Sequence, residues 1–357
     1  MRLNKGMLMN CQRVKLVILA ACCLLSAGCQ ETKLKLGSRS AMTTPEHFAE
    51  YVRNEPSVRR SQTWDNPYAP GLIIETKHYR IYTTLLDPLM LRQVPAFVES
   101  AFNAYESQLP RPLELQQLMD VYLFDTRGQW EAFTKSFMGP DAEVYLQIKK
   151  GAYTAKGVCV SYNIGRKQTF SVVGHEGWHQ FNQHLFVYRL PSWLDEGIAT
   201  LFETCRYSQG RFLFEPEKNL MRLGSLKVTM QQGKLIPLHQ LILLNPGQVI
   251  NGHGTGDEAA IAFYAQNYAL VRFLREHNYG IRLRKYHALL LGGAEGTWPL
   301  QDDYASLAAD RRRPLTVGWN TQVSDALFGY YVNEDIRKLD AEYQAFCGKI
   351  AYRIRLK

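Results

Sequence analysis

Apolar side chains recur along this chain in two rhythms, and the balance between them shifts near the middle. Residues 78–84 alternate and are rich in Tyr, Ile and Thr, the pattern of a half-buried strand. Val94, Phe97, Val98, Ala101, Phe102 and Tyr105 then recur every three or four positions, which predicts a helix. Pro95 is tolerated only in a first turn, so that helix is expected over 93–109, after a turn at Asp87-Pro88 and before Pro110 and Pro112. A short apolar strand is expected at 121–124 and a second helix at 127–137. In 157–162, Val158, Val160 and Tyr162 fall on one face of a strand and Cys159 on the other. Beyond that point the helical rhythm dominates. Helices are expected over 168–184, 194–207, 259–276, 283–291 and 333–349, with broken helical stretches through 215–250. The expectation is an α+β protein: a small N-terminal α/β unit over 71–150, followed by a mostly helical domain over 151–357.

The N-terminus has a different character. Arg2, Lys5, Arg13 and Lys15 precede a short apolar run that ends in Ser26-Ala27-Gly28-Cys29. Residues 1–28 therefore read as a secretory leader, its apolar stretch too short for a comfortable membrane span. The small residues before Cys29 resemble the bacterial lipobox. That resemblance implies cleavage ahead of Cys29 and lipidation of its thiol. Gln30, where an Asp is absent, resembles lipoproteins sorted to the outer membrane, facing the periplasm. Residues 29–70 read as a tether, with a short helical stretch at 44–53 and punctuation at Pro67, Pro70 and Gly71.

Charge narrows the choice of partners. The whole chain carries 42 Lys and Arg against 33 Asp and Glu; without the four basic residues of the leader, 38 remain against 33, a net of +5. No dense basic run is interleaved with stacking aromatics, so nucleic acid is not an expected partner. Arg311-Arg312-Arg313 reads as a solvated loop. Cys159, Cys205 and Cys347 follow the leader and none has CxxC spacing, which disfavours a thiolate metal site; an exported chain could pair two of them.

The informative string is Gly174-His175-Glu176-Gly177-Trp178-His179. Histidines four apart on a helix present both imidazoles on one face, able to approach a single tetrahedral metal ion. Glu176 is turned off that pair but stays beside the open position of the metal, where it can accept a proton from water. Trp178 and Phe181 give the helix an apolar side for burial. A third ligand is needed. His184 lies about 140° round the helix from His179 and faces away. Asn182 and Leu185 occupy positions where another known arrangement wants Gly and His. Pro191-Ser192-Trp193-Leu194-Asp195-Glu196-Gly197 offers Glu196 on a second helix, with Asp195 as the rival, since only one of two neighbouring side chains can face the ion. Glu203, seven residues on, could receive the second N–H of a ligand histidine. Tyr264, Tyr268 and His253 are candidate donors to a developing oxyanion, with Tyr264 preferred.

HExxH followed at this distance by Trp193-Leu194-Asp195-Glu196-Gly197 resembles the gluzincins, and most closely the peptidase MA-like group of exported and lipoprotein zinc metallopeptidases. The stretches 78–84, 264–268 and 326–329 also look familial. The resemblance implies a zincin-like catalytic domain with one zinc held by His175, His179 and Glu196. It implies Glu176 as base for peptide-bond hydrolysis, and peptides or proteins as substrates. The chain is thus expected at the bacterial cell envelope, held to the membrane by a lipid on Cys29. The alternative is a catalytically inactive zinc-binding or scaffold lipoprotein that binds an envelope partner. An intact Glu176 argues against it, since a scaffold needs no base.

Overall fold

A computed structural model describes residues 42–148, 151–250, 256–313, 316–332, 335–352 and 354. The leader, Cys29 and His253 lie outside the described residues.

The first half is an α/β layer. It runs α1 (Pro45–Arg53), β1 (Arg60–Trp64), β2 (Gly71–Glu75), β3 (Tyr79–Thr83), α2 (Pro88–Glu106), β4 (Met119–Phe124), α3 (Arg127–Met138), α4 (Ala142–Leu146), β5 (Ala152–Ala155) and β6 (Val158–Tyr162). Among the described residues these strands make one six-stranded sheet in the order β1-β2-β3-β4-β6-β5. β3, β4 and β6 are parallel, with Ile81 opposite Val121 and Val121 opposite Cys159. β5 folds back antiparallel on β6 and forms one edge.

Alternation sends each strand's side chains to two separate cores. On one face Tyr79, Val121 and Cys159 meet Phe97, Ala101 and Tyr105 of α2 and Val173 and Gly177 further along the chain, leaving a void of only about 10 Å³. On the other, Phe124, Val160 and Tyr162 pack with Trp130 and Phe133 of α3. There Tyr82 and Tyr122 stack at 4.5 Å across the β3/β4 pair.

The second half is largely helical. It comprises α5 (Arg166–Leu185), α6 (Ser192–Ala199), a small hairpin of β7 (Cys205–Ser208) and β8 (Arg211–Phe214), then α7 (Leu220–Gln231), α8 (Leu238–Leu241), α9 (Pro246–Ile250), α10 (Gly256–Glu276), α11 (Leu283–Glu295), α12 (Asp302–Ala309), α13 (Val317–Leu327) and α14 (Ile336–Ala351). Helix α10 is the axis of this part. Phe263 and the run from Ala265 to Leu274 are buried on every side, as a helix enclosed by others must be. Residues Thr44–Lys357 make up one compact unit, a mixed α+β fold.

Several boundaries differ from the sequence reading, each for an identifiable reason. The tether expected up to residue 70 contains α1 and β1, which pack on and pair with β2. The expected boundary at 150/151 cuts through a single sheet, because β5 and β6 complete it. Helix α2 begins at Pro88, not Gln93. Asp87 is its N-cap, accepting from the Met90 amide at 2.8 Å with Pro88 in the first turn, so Asp87-Pro88 is a helix start and Pro95 lies in the interior. The helix expected over 194–207 stops at Ala199. Thr200 donates its hydroxyl back to the Gly197 carbonyl, a single 3₁₀ turn follows, and Cys205–Ser208 leaves as a strand. Cys159, Cys205 and Cys347 are all free thiols.

Candidate metal centre

His175 and His179 sit on successive turns of α5, their rings 5.1 Å apart. Two close approaches hold this helix against its neighbours. Gly177 has no side chain because the Tyr105 hydroxyl occupies that space while donating to the Gly174 carbonyl at 2.7 Å. Helix α6 approaches from the other side. A Cβ on Gly197 would lie 2.7 Å from the Asn267 carbonyl of α10, so α6 and α10 touch backbone to backbone at the residue after Glu196. Ligand atoms from His175, His179 and Glu196 thereby come within 4.8 Å of one another.

The protonation pattern around these three residues is decisive. His175 Nδ1 lies 3.0 Å from Glu203 Oε1, and His179 Nδ1 lies 3.0 Å from Asp195 Oδ1. An ionised carboxylate only accepts, so each ring donates from Nδ1, and in its neutral form the lone pair lies on Nε2. Both Nε2 atoms face Glu196 Oε2, at 3.3 and 3.7 Å. That oxygen is buried and has no hydrogen-bond partner among the described residues. Three potential electron-pair donors thus converge on one point. Either protons or a cation must fill the gap. With protons alone, burial opposes the charge on His175, yet Glu196 and Glu203 raise it to about 9. His179 is likewise raised well above its ordinary value against burial, by Asp195 and Glu196. Glu196 is pulled far below the usual carboxylate range despite its burial, by the two imidazoles. Two imidazole nitrogens and one carboxylate oxygen are a donor set that would suit zinc.

The carboxylates behind the histidines are themselves fixed. Asp195 Oδ1 accepts from Trp178 Nε1 at 2.9 Å and Asn182 Nδ2 at 2.8 Å as well as from His179. Asp195, the rival ligand, is therefore turned to the far nitrogen of His179. Glu203 lies at the N-terminal end of α7, where the helix dipole favours an anion. Asn219, the N-cap, donates to it at 2.8 Å and Arg222 grips it at two points, 2.9 and 2.5 Å. Burial works against its charge, but His175 and Arg222 outweigh it and hold the Glu203 carboxyl at about 2.

Glu176 is half-buried next to the pair. Burial raises its carboxyl above the ordinary range while His179 and His175 pull it back. Its backbone carbonyl accepts from the Thr154 hydroxyl on β5 at 2.7 Å. Tyr264 is half-buried on α10 with the Arg222 guanidinium 5.1 Å from its ring centre. The charge of Glu196, and then burial, hold its phenol protonated well above the usual tyrosine value. Tyr268 faces elsewhere: it donates to the Pro216 carbonyl and accepts from Arg272. His184 is turned to the Gly157 carbonyl. Arg311 is not a solvated residue. It donates to the Asn182 and Phe186 carbonyls and so closes the C-terminal end of α5, whereas Arg312 and Arg313 pair with Asp310 in solvent.

Asn219, Arg222, Thr154 and Arg311 were not singled out for this site from sequence. Asn219 followed at 222 by an arginine could have been read as a helix cap presenting a cation. Nothing local marks Thr154 or Arg311, whose partners lie 22 and more than 120 residues away. Compared with known proteins, the chain matches no family model and no curated sequence.

Proposed function

We propose that this chain is a zinc-dependent peptidase of the bacterial cell envelope, with one zinc held by His175, His179 and Glu196. The observation that carries the reading is the convergence of three lone-pair donors beside the carboxyl of Glu176, with both outer imidazole nitrogens already committed to carboxylates. The resemblance of the HExxH…E pattern to the peptidase MA-like group points the same way.

Zinc in such a set supplies Lewis acidity toward a water and a carbonyl oxygen. The side chains do the rest. Glu176, its proton affinity raised by burial, accepts a proton from the attacking water and returns it to the leaving nitrogen. Tyr264, kept protonated by its surroundings, offers its O–H to the carbonyl oxygen as charge develops there. Strand β5 is a sheet edge tied by Thr154 to the backbone of Glu176, so an extended peptide adding to that edge would run past the base. Once the leader is cleaved, a lipid on Cys29 would hold the enzyme to a membrane.

The test is zinc content and peptide-library cleavage by the mature chain and by Glu176→Gln. The reading expects about one zinc per chain in both proteins, and hydrolysis only in the first. Zinc without hydrolysis in the wild type would favour a scaffold, and absence of zinc after reconstitution would reject the metal centre.

A further inference from the structure

One side chain touches both halves of the site. Arg222 stands in the first turn of α7, largely buried, and its guanidinium is used twice. Its edge grips Glu203, with Nε on Oε2 at 2.9 Å and Nη2 on Oε1 at 2.5 Å. That same Oε1 accepts the Nδ1–H of His175. Its Cζ lies over the Tyr264 ring, 5.1 Å from the centre. Tyr264 comes from α10 and Glu203 from the turn after α6, and both contact this one cation; His175 of α5 is reached through Glu203.

Glu203 alone does not require this arrangement. The Asn219 amide and the end of α7 already favour its charge. An ammonium group could supply a further positive charge, but only a flat five-donor fork can bind a carboxylate bidentately and stack on a ring at once. We propose that Arg222 is a positioning residue that locks the His175 imidazole, through Glu203, and the Tyr264 ring into one geometry. The proposal rests on the metal reading of the site. The coupling it describes is between the orientation of a ligand and the placement of the phenol.

Arg222→Lys is the informative variant, since it keeps the charge and the stem and removes the fork and the plane. Asn219→Ser is its comparison: serine can still cap α7, where Asn219 Oδ1 accepts from the Arg222 amide, while the donor to Glu203 is lost. Zinc affinity is measured by competition with a chromophoric chelator. The visible spectrum of the cobalt-loaded protein reports ligand geometry without turnover, and kcat and KM are measured on a cleaved peptide. Arg222→Lys is expected to melt near the wild type, bind zinc on the order of 10- to 100-fold more weakly and shift the cobalt spectrum. Tyr264→Phe should then cost less kcat in the Arg222→Lys background than in the wild type. In Asn219→Ser it should cost as much as in the wild type. An Arg222→Lys protein with wild-type zinc affinity and cobalt spectrum, or a Tyr264→Phe effect that is additive with it, overturns the proposal. If the wild type binds zinc and cleaves nothing, the peptidase reading falls alone. The cobalt spectra of Arg222→Lys, Tyr264→Phe and their double variant then decide the coupling. A wild type that takes up no metal overturns both.

Discussion

Asp195 and Glu196, neighbours in the chain, address opposite nitrogens of the same imidazole: Asp195 Oδ1 is 3.0 Å from His179 Nδ1, and Glu196 Oε2 is 3.7 Å from His179 Nε2. The first orients the ring and the second shares its lone-pair side. The two carboxylates should therefore fail differently when removed. Glu196→Ala is expected to abolish stoichiometric zinc binding. Asp195→Asn is expected to retain a site weakened on the order of 10- to 100-fold, because a neutral amide oxygen is a poorer acceptor for the three donors that Asp195 Oδ1 now holds. Chelator competition on the two variants reads this directly. Equal losses would mean that Asp195 is itself a ligand.

Acidity gives a second expectation. In the metal-free protein His175 is raised to about 9 and His179 also lies well above its ordinary 6.5. A histidine whose folded value exceeds its unfolded one stabilises fully below the unfolded value and loses that contribution as pH rises through the folded value. The metal-free melting temperature should thus fall between about pH 6.5 and 9, while the zinc-loaded protein stays nearly level. Zinc affinity should climb over the same window as protons cease to compete. Calorimetry at pH 7 in buffers of different ionisation enthalpy should find roughly two protons released per zinc.

Two glycines test the packing that holds the site. A Cβ at Gly197 would meet the Val271 side chain at 2.6 Å and the Asn267 carbonyl at 2.7 Å, and backbone cannot step aside. Gly197→Ala should destabilise by about 1–3 kcal/mol and weaken zinc binding by tilting Glu196. Gly224, inside α7, has open space where its side chain would go, so Gly224→Ala should stabilise by up to about 1 kcal/mol. Thermal melts of the two variants should move in opposite directions.

The arginine cluster at 311–313 should prove uneven. Arg311→Met removes the donor to two carbonyls at the end of α5 and should cost about 1–3 kcal/mol, with zinc stoichiometry retained. Arg312→Ala, in solvent, should leave the melting temperature where it was.

What could be read from sequence follows the range of the interactions involved. The i, i+4 histidines and the buried side of α5 were legible because a helix fixes their geometry locally. Helical spacing alone does not decide whether Asp195 or Glu196 faces the histidines, because that depends on how α6 crosses α5; the family pattern favours Glu196, and it is Glu196 that faces both Nε2 atoms. β1 carries Ser61 as its one buried side chain, and β5 is four residues with two alanines, so neither offers an alternating signal. The early end of α6 depends on Thr200 bonding back to Gly197, while helical spacing alone favoured continuation. Arg222 and Arg311 act on partners brought near by tertiary packing, for which no local pattern exists.

The spacing of His175, His179 and Glu196 in the chain also bears on how the molecule assembles. His175, His179 and Glu196 lie within one helical hairpin, so bringing them together closes only a short loop at small entropic cost. Glu203 takes its grip from α7, and Tyr264 arrives with α10, much later in the chain. As the chain emerges N-terminus first, the hairpin is therefore complete before α7 and α10. On the proposed zinc reading, an ion captured by the hairpin alone would lack the phenol of Tyr264 and the arginine behind Glu203 until α7 and α10 dock.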